Sequence, residues 1–242
     1  MTPRKLDLAA IAEGIETPYR PVPLAHLGSV EVALFICQGQ TPWRRRFTGD
    51  ELLFVLEGVI TMEDASGKIV VNEGEVASAP GERTYNAHSG MRSSVVLFED
   101  HSAALPGLNG HEPLDPDEPE AITKVNAAID VRRRPSFEWL AAGPTGLSAL
   151  RATRLAGTSA SYRVEGQSVL LLVYRGVLDY RLAGQEGSIV GSNMLVVPPG
   201  SDMTLSSQRG ATLLFLAPSG APLPTRAAAD PAGPDADSEA LS

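Results

Sequence analysis

Short apolar runs separated by turn residues dominate this chain. Val30–Cys37 is followed by Glu51–Leu56, Val59–Glu63, Lys68–Val71, Val76–Ala79 and Ser93–Glu99. The breaks between them carry Gly39, Gly58, Ser66-Gly67, Glu73-Gly74, Pro80-Gly81 and Ser89-Gly90. Runs of this length, punctuated this way, predict antiparallel strands in a sandwich or barrel. A second series follows: Leu147–Leu155, Gln167–Tyr174, Val177–Leu182, Ser188–Val190, Met194–Val197 and Thr212–Ala217. Helix signals are few. Leu6–Ile15 predicts a short N-terminal helix, ended by Pro18 and Pro21.

The two series are one unit written twice. At an offset of 118, Gly39 matches Gly157, Arg45 matches Arg163, and Leu52-Leu53 match Leu170-Leu171. Val55 then matches Val173, and Gly58-Val59 match Gly176-Val177. One residue further on, Pro80-Gly81 match Pro199-Gly200. The expected division is an N-terminal arm (1–24), a first barrel (25–100), a linker (101–122), a second barrel (123–218) and a tail (219–242). The linker region carries Pro106, Pro113, Pro116 and Pro119, and reads as irregular. Ala, Pro, Asp and Ser dominate the tail, which predicts disorder because it has too little apolar surface to offset ordering.

Charge follows this division. The net charge is −9, but residues 99–120 contain seven acidic residues and no Lys or Arg, and the tail is acidic too. The folded parts are therefore near neutral. That argues against a nucleic-acid surface, which needs a basic stripe. No apolar stretch approaches the ~18 residues of a membrane helix. The N-terminus lacks a signal-type apolar core, so the expected location is the cytoplasm. Cys37 is the only cysteine, which excludes an intrachain disulfide. Its place in an apolar strand reads as a small buried residue.

Two spacings carry chemistry. Glu51 is followed by six residues and Gly58; Gly74 is followed by five residues and Pro80. These resemble the ends of the two cupin motifs, and the duplication resembles a bicupin, an all-β chain of two tandem jelly-roll barrels. The Glu51–Gly58 segment also resembles bicupin dioxygenases of the 3-hydroxyanthranilate type. The resemblance implies a divalent metal held by histidines and one glutamate. Only Glu51 carries over. The paired histidines would fall where the chain has Arg44, Arg45 and Arg46, and the last one where it has Tyr85. In the second copy Val169 replaces the glutamate, with Ser161, Tyr162, Arg163 and Thr204 near the other positions. His26, His101 and His111 lie away from the motifs. His88 sits at an odd offset from Tyr85, which points to the opposite face of a strand. Guanidinium stays protonated and cannot replace imidazole as a ligand. No metal or other cofactor is expected.

Strand alternation sends Arg44 and Arg46 to one face and Trp43, Arg45 and Phe47 to the other. The counterparts of Arg44 and Arg46 are the less polar Tyr162 and Val164, so that pair is expected inward. Glu51 should share its inward face with Leu53 and Val55. An inward carboxylate must be paired, and Arg44 or Arg46 supplies a partner. One reading ends there, with a lost metal site neutralised by an ion pair. The other uses the surplus arginine, with Arg83 and Tyr85 at the same mouth, to bind a small anionic, carboxylate-bearing molecule. With Glu51 as base and Tyr85 as acid, metal-free isomerisation, dehydration or cyclisation becomes possible. A metal-dependent dioxygenase with unusual ligands and a non-catalytic scaffold remain as alternatives. Assembly into a homo-oligomer is also open.

Overall fold

The expected strands form, and some run on through residues that read as turns. The computed structural model describes residues 3–41, 49–81, 84–101, 122–145 and 148–226, with Arg44–Arg45 as backbone only. Among the described residues the chain folds into one sheet of nine strands and one of ten. In the first, Val30–Gln40 lies between Val22–Leu27 and Thr84–Asp100, and Glu51–Glu57 lies between Thr84–Asp100 and Val76–Ala79. In the second, Ser148–Leu155, Ala211–Pro218, Val169–Leu182, Asp202–Ser207 and Thr158–Arg163 follow one another across the sheet. No helix among the described residues is long and apolar enough to cross a membrane.

Ser89-Gly90 is not a turn. Thr84–Asp100 is a single seventeen-residue strand, and Ser89 and Ser93 both donate their hydroxyls to the Val59 carbonyl, at 2.7 and 2.9 Å. Likewise Val169–Leu182 is one strand with Gly176 inside it. Gly58 and Gly176 have φ of +88° and +89°. A Cβ at the first would strike Ser93, and one at the second the Gly210 carbonyl. Only glycine suits both the conformation and the space.

Unbroken apolar runs arise because the strands are buried on both faces. One parity (Val32, Leu34, Leu52, Phe54, Val96 and Phe98) packs against Leu170, Leu172, Tyr174, Met194 and Leu214 of the other barrel. The opposite parity (Phe35, Cys37, Leu53, Val55, Val95 and Leu97) fills the first interior. Leu171, Val173, Leu195, Leu213 and Phe215 fill the second. Each such side chain stabilises the fold by roughly 1.5–3 kcal/mol. Phe54 meets Tyr174 edge-on, with centroids 5.4 Å apart. Beside them Glu73 accepts hydrogen bonds from the Tyr174 hydroxyl and the Arg175 guanidinium, both at 2.8 Å.

The barrels also exchange strands. Arg4–Asp7, ahead of the first barrel, pairs with Asn193–Val197 of the second. Thr123–Val125, at the head of the second copy, pairs with Val76–Ala79 of the first. Glu75 fastens that strand, accepting from Lys124 Nζ at 3.0 Å and Asn126 Nδ2 at 3.1 Å. Strand pairing takes up Leu6, so the helix is shorter than Leu6–Ile15 and spans Leu8–Glu13. Asp7 caps its start, and Arg92 donates to the Ala12 and Ile15 carbonyls at its end. Thr225–Arg226 pairs with Ala160–Ser161, so order continues past residue 219. Residues 102–121 and 227–242 lie outside the described residues.

Candidate functional site

Glu51 begins its strand, and alternation places it with Leu53 and Val55 on the interior face. It is 2% exposed. Tyr85, near the start of the long strand, donates its hydroxyl to Glu51 Oε2. The Thr41 hydroxyl lies nearby and donates to the Ala87 carbonyl at 3.0 Å. Together with Tyr19, Phe35 and Leu97 these residues line a cavity of about 30 Å³. That is room for a water molecule or two, well below the several hundred Å³ of an ordinary ligand pocket.

Arg44 and Arg45 form a two-residue strand in which Arg44 is paired with Tyr85 and Arg45 with Thr84. Arg46 and Arg83 lie outside the described residues. In the second copy the alternation is explicit: Tyr162 and Val164 are interior, while Ser161 and Arg163 are exposed.

Three site residues escape a reading of motifs. Tyr19 comes from the arm, and its only sequence signal is its place between Pro18 and Pro21. Thr41 follows the first core strand. Glu99 reads in sequence as one of the linker acids, but it sits in the ladder directly opposite Glu51, with Glu31 on its other side. Asp100 is likewise a buried strand residue. His101 lies 3.4 Å from Glu31 and 3.6 Å from Glu99.

Register also corrects the second copy. Tyr162, the match of Arg44, pairs with Met203, so Met203, not Thr204, is the counterpart of Tyr85. The Pro-Gly alignment misled because the connection after Gly81 is one residue longer than that after Gly200. Val169, Met203 and Tyr162 all pack into an apolar core. Tyr162 meets Phe215 edge-on at 5.3 Å, and burial, with the charge of Glu165, pushes its phenol pKa up.

A first-row metal does not fit the donors present. Among the described residues, no group of three or more His, Cys, Asp or Glu is arranged to hold one. Segments 42–48 and 82–83 contain neither His nor Cys. His88 has the opposite parity from Tyr85 and Ala87, and its Nδ1 is buried without a hydrogen-bond partner. Phenol and guanidinium side chains do not replace three imidazoles.

Cys37 belongs to the same interior cluster as Phe35. Its thiol donates to the Tyr19 hydroxyl at 3.4 Å, and that hydroxyl donates to the Gly39 carbonyl at 2.6 Å. Burial pushes the thiol pKa up, which suits an unreactive interior cysteine.

No protein-family model and no curated protein sequence matches the chain. Solved structures do. A cupin 2 conserved barrel domain protein from Leptotrichia buccalis superposes with a TM-score of 0.69 at 10% identity, covering 89% of this chain and 96% of that one. A salicylate 1,2-dioxygenase from Pseudaminobacter salicylatoxidans gives 0.67 at 14% identity, covering 89% and 83%. At such identities the likeness is one of fold: the chain is a two-barrel protein of the cupin fold.

Proposed function

We propose that the first barrel binds a small anionic, carboxylate-bearing molecule without a metal. The observation behind this reading is the buried Glu51–Tyr85 pair in a lumen whose counterpart, among the described residues, holds no buried carboxylate. Burying a carboxylate costs several kcal/mol, as a rough figure, before its partners offset it. The second barrel packs without any such group, so the fold does not require it.

Arg44, Arg46 and Arg83 are the guanidinium groups that the sequence offers for such a ligand. A carboxylate meeting a guanidinium there gains bidentate hydrogen bonds. If the protein is an enzyme, Glu51 is the candidate base and Tyr85 the candidate acid for a metal-free proton transfer. The 30 Å³ cavity favours a second reading, in which the barrel is closed and serves as a scaffold.

Protein purified without chelator should contain far less than one metal ion per chain. Native mass spectrometry should find a small anion on the wild type that is missing from Arg44→Ala and from Arg46→Ala. Stoichiometric iron, manganese, nickel or zinc would overturn the proposal. So would an anion retained by both variants as by wild type.

A further inference from the structure

We infer that Tyr19 gates the first lumen: its ring closes one wall of the cavity and its hydroxyl meets the Cys37 thiol, and its displacement admits a ligand. This inference rests on the proposed function for what enters, but not for the gate itself.

Tyr19 is not part of the repeated unit. It arrives from the arm, between the helix Leu8–Glu13 and the strand Val22–Leu27. It is half-buried, with its ring packed against the interior cluster and 6.4 Å from Phe35, centroid to centroid. Its backbone N–H donates to the Ile36 carbonyl at 2.8 Å. Its φ is +60°, the left-handed region that a side chain enters at a cost of about 1 kcal/mol. A tyrosine there is held by its surroundings, and two hydrogen bonds through its hydroxyl do much of the holding.

Beneath it the wall is already shaped for a ligand. Phe35, Leu53 and Leu97 give an apolar side, while Thr41, Tyr85 and Glu51 give a polar end. A phenol ring fills a large part of what would otherwise be open space. Its removal should turn a void of water size into a slot for a small aromatic or branched carboxylate.

Cys37 makes the test direct. It is wholly buried and is the only cysteine, so alkylation by iodoacetamide, followed by mass spectrometry, reads access to the lumen. Tyr19→Gly suits the positive φ and is the variant most compatible with the fold. It should react at least about tenfold faster than wild type, because access controls the rate at a buried thiol. Tyr19→Phe, which keeps the ring, should stay much closer to wild type. Hydrogen exchange of the Val30–Gln40 strand separates local opening from global unfolding.

Equal alkylation of wild type and Tyr19→Gly, with exchange unchanged, would overturn the gate. Acceleration accompanied by loss of exchange protection throughout the strand would overturn it as well. Titrating Tyr19→Gly with benzoate and with neutral benzamide then separates the two claims. Preference for benzoate supports both. Equal binding, with fast alkylation, keeps the gate and removes the anion reading. Wild type that binds benzoate as tightly as Tyr19→Gly keeps the anion reading and removes the gate.

Discussion

Where the first barrel has Glu51 and Tyr85, the second has Val169 and Met203. Arg44, paired with Tyr85, has its counterpart in Tyr162, paired with Met203. The strands, the glycines at Gly58 and Gly176 and the shared apolar layer are common to both. The comparison therefore separates what the scaffold needs from what one copy keeps in addition. The second interior is closed by Phe215, with Tyr162 at 5.3 Å and Trp139 at 5.5 Å. The first keeps a carboxylate, a phenol and a threonine hydroxyl around a small void. Polar groups in a dry interior survive only with partners, and this difference is what the proposed function rests on.

The largest expected effect comes from forcing the second barrel to resemble the first. Val169→Glu places a carboxylate opposite Val197, in an interior that has Met203 where the first barrel has Tyr85. It should cost about 3 kcal/mol or more at pH 7, read as a lowered urea midpoint. The penalty should shrink towards pH 4, because an unpaired buried carboxyl takes up its proton early. A cost below about 1 kcal/mol would mean that the two interiors are not so different.

A smaller effect is expected in the opposite direction. Tyr85→Phe removes one donor from Glu51 while keeping the ring, and should cost about 1–2 kcal/mol in chemical denaturation. No change would mean that other partners already satisfy the carboxylate. Glu51 would then be better read as part of a self-contained ion-pair network.

The mildest prediction concerns the contacts joining the barrels. For Glu73, the Arg175 guanidinium holds the carboxyl below its ordinary 4.5. For Glu75, burial pushes the pKa up but is outweighed by the Asn72 amide and Lys124, so the net shift is also downward. A depressed carboxylate contributes stability above its unfolded pKa and loses it as pH falls through the folded one. The contribution should be complete above about pH 4.5 and fade below it. Burial and Glu73 push the Tyr174 pKa up to about 12. Its neutral form therefore stabilises the joint below pH 10 and loses that role as pH rises towards 12. Thermal melts of wild type and Glu75→Gln across acid pH should converge as pH drops. Parallel curves would show that the Glu75 contribution does not depend on its charge.

Several features are legible in the order of residues. Alternation puts Leu53 and Val55 inside, and the repeat puts Tyr162 and Val164 inside. That Arg44, Arg46 and Tyr85 stand where the resemblance implies histidines is visible from residue types alone. Other features are not legible. Counting from the Pro-Gly pairs selects Thr204, because one extra residue in a connection shifts every later match and, in a strand, inverts its face. Glu99 looks like part of an acidic linker, yet the ladder sets it opposite Glu51. Tyr19 and Thr41 carry no motif.

By itself, the sequence determined the strand pattern, the duplication and the chemical types available to the site, because periodicity and residue identity are local properties. Tertiary structure alone decided which strands each barrel lends the other, which residues face Glu51 across the ladder, and that a tyrosine from the arm closes the lumen. Those are contacts between residues far apart in the chain. They are fixed by register and by the packing of one layer on another, and no local pattern encodes them.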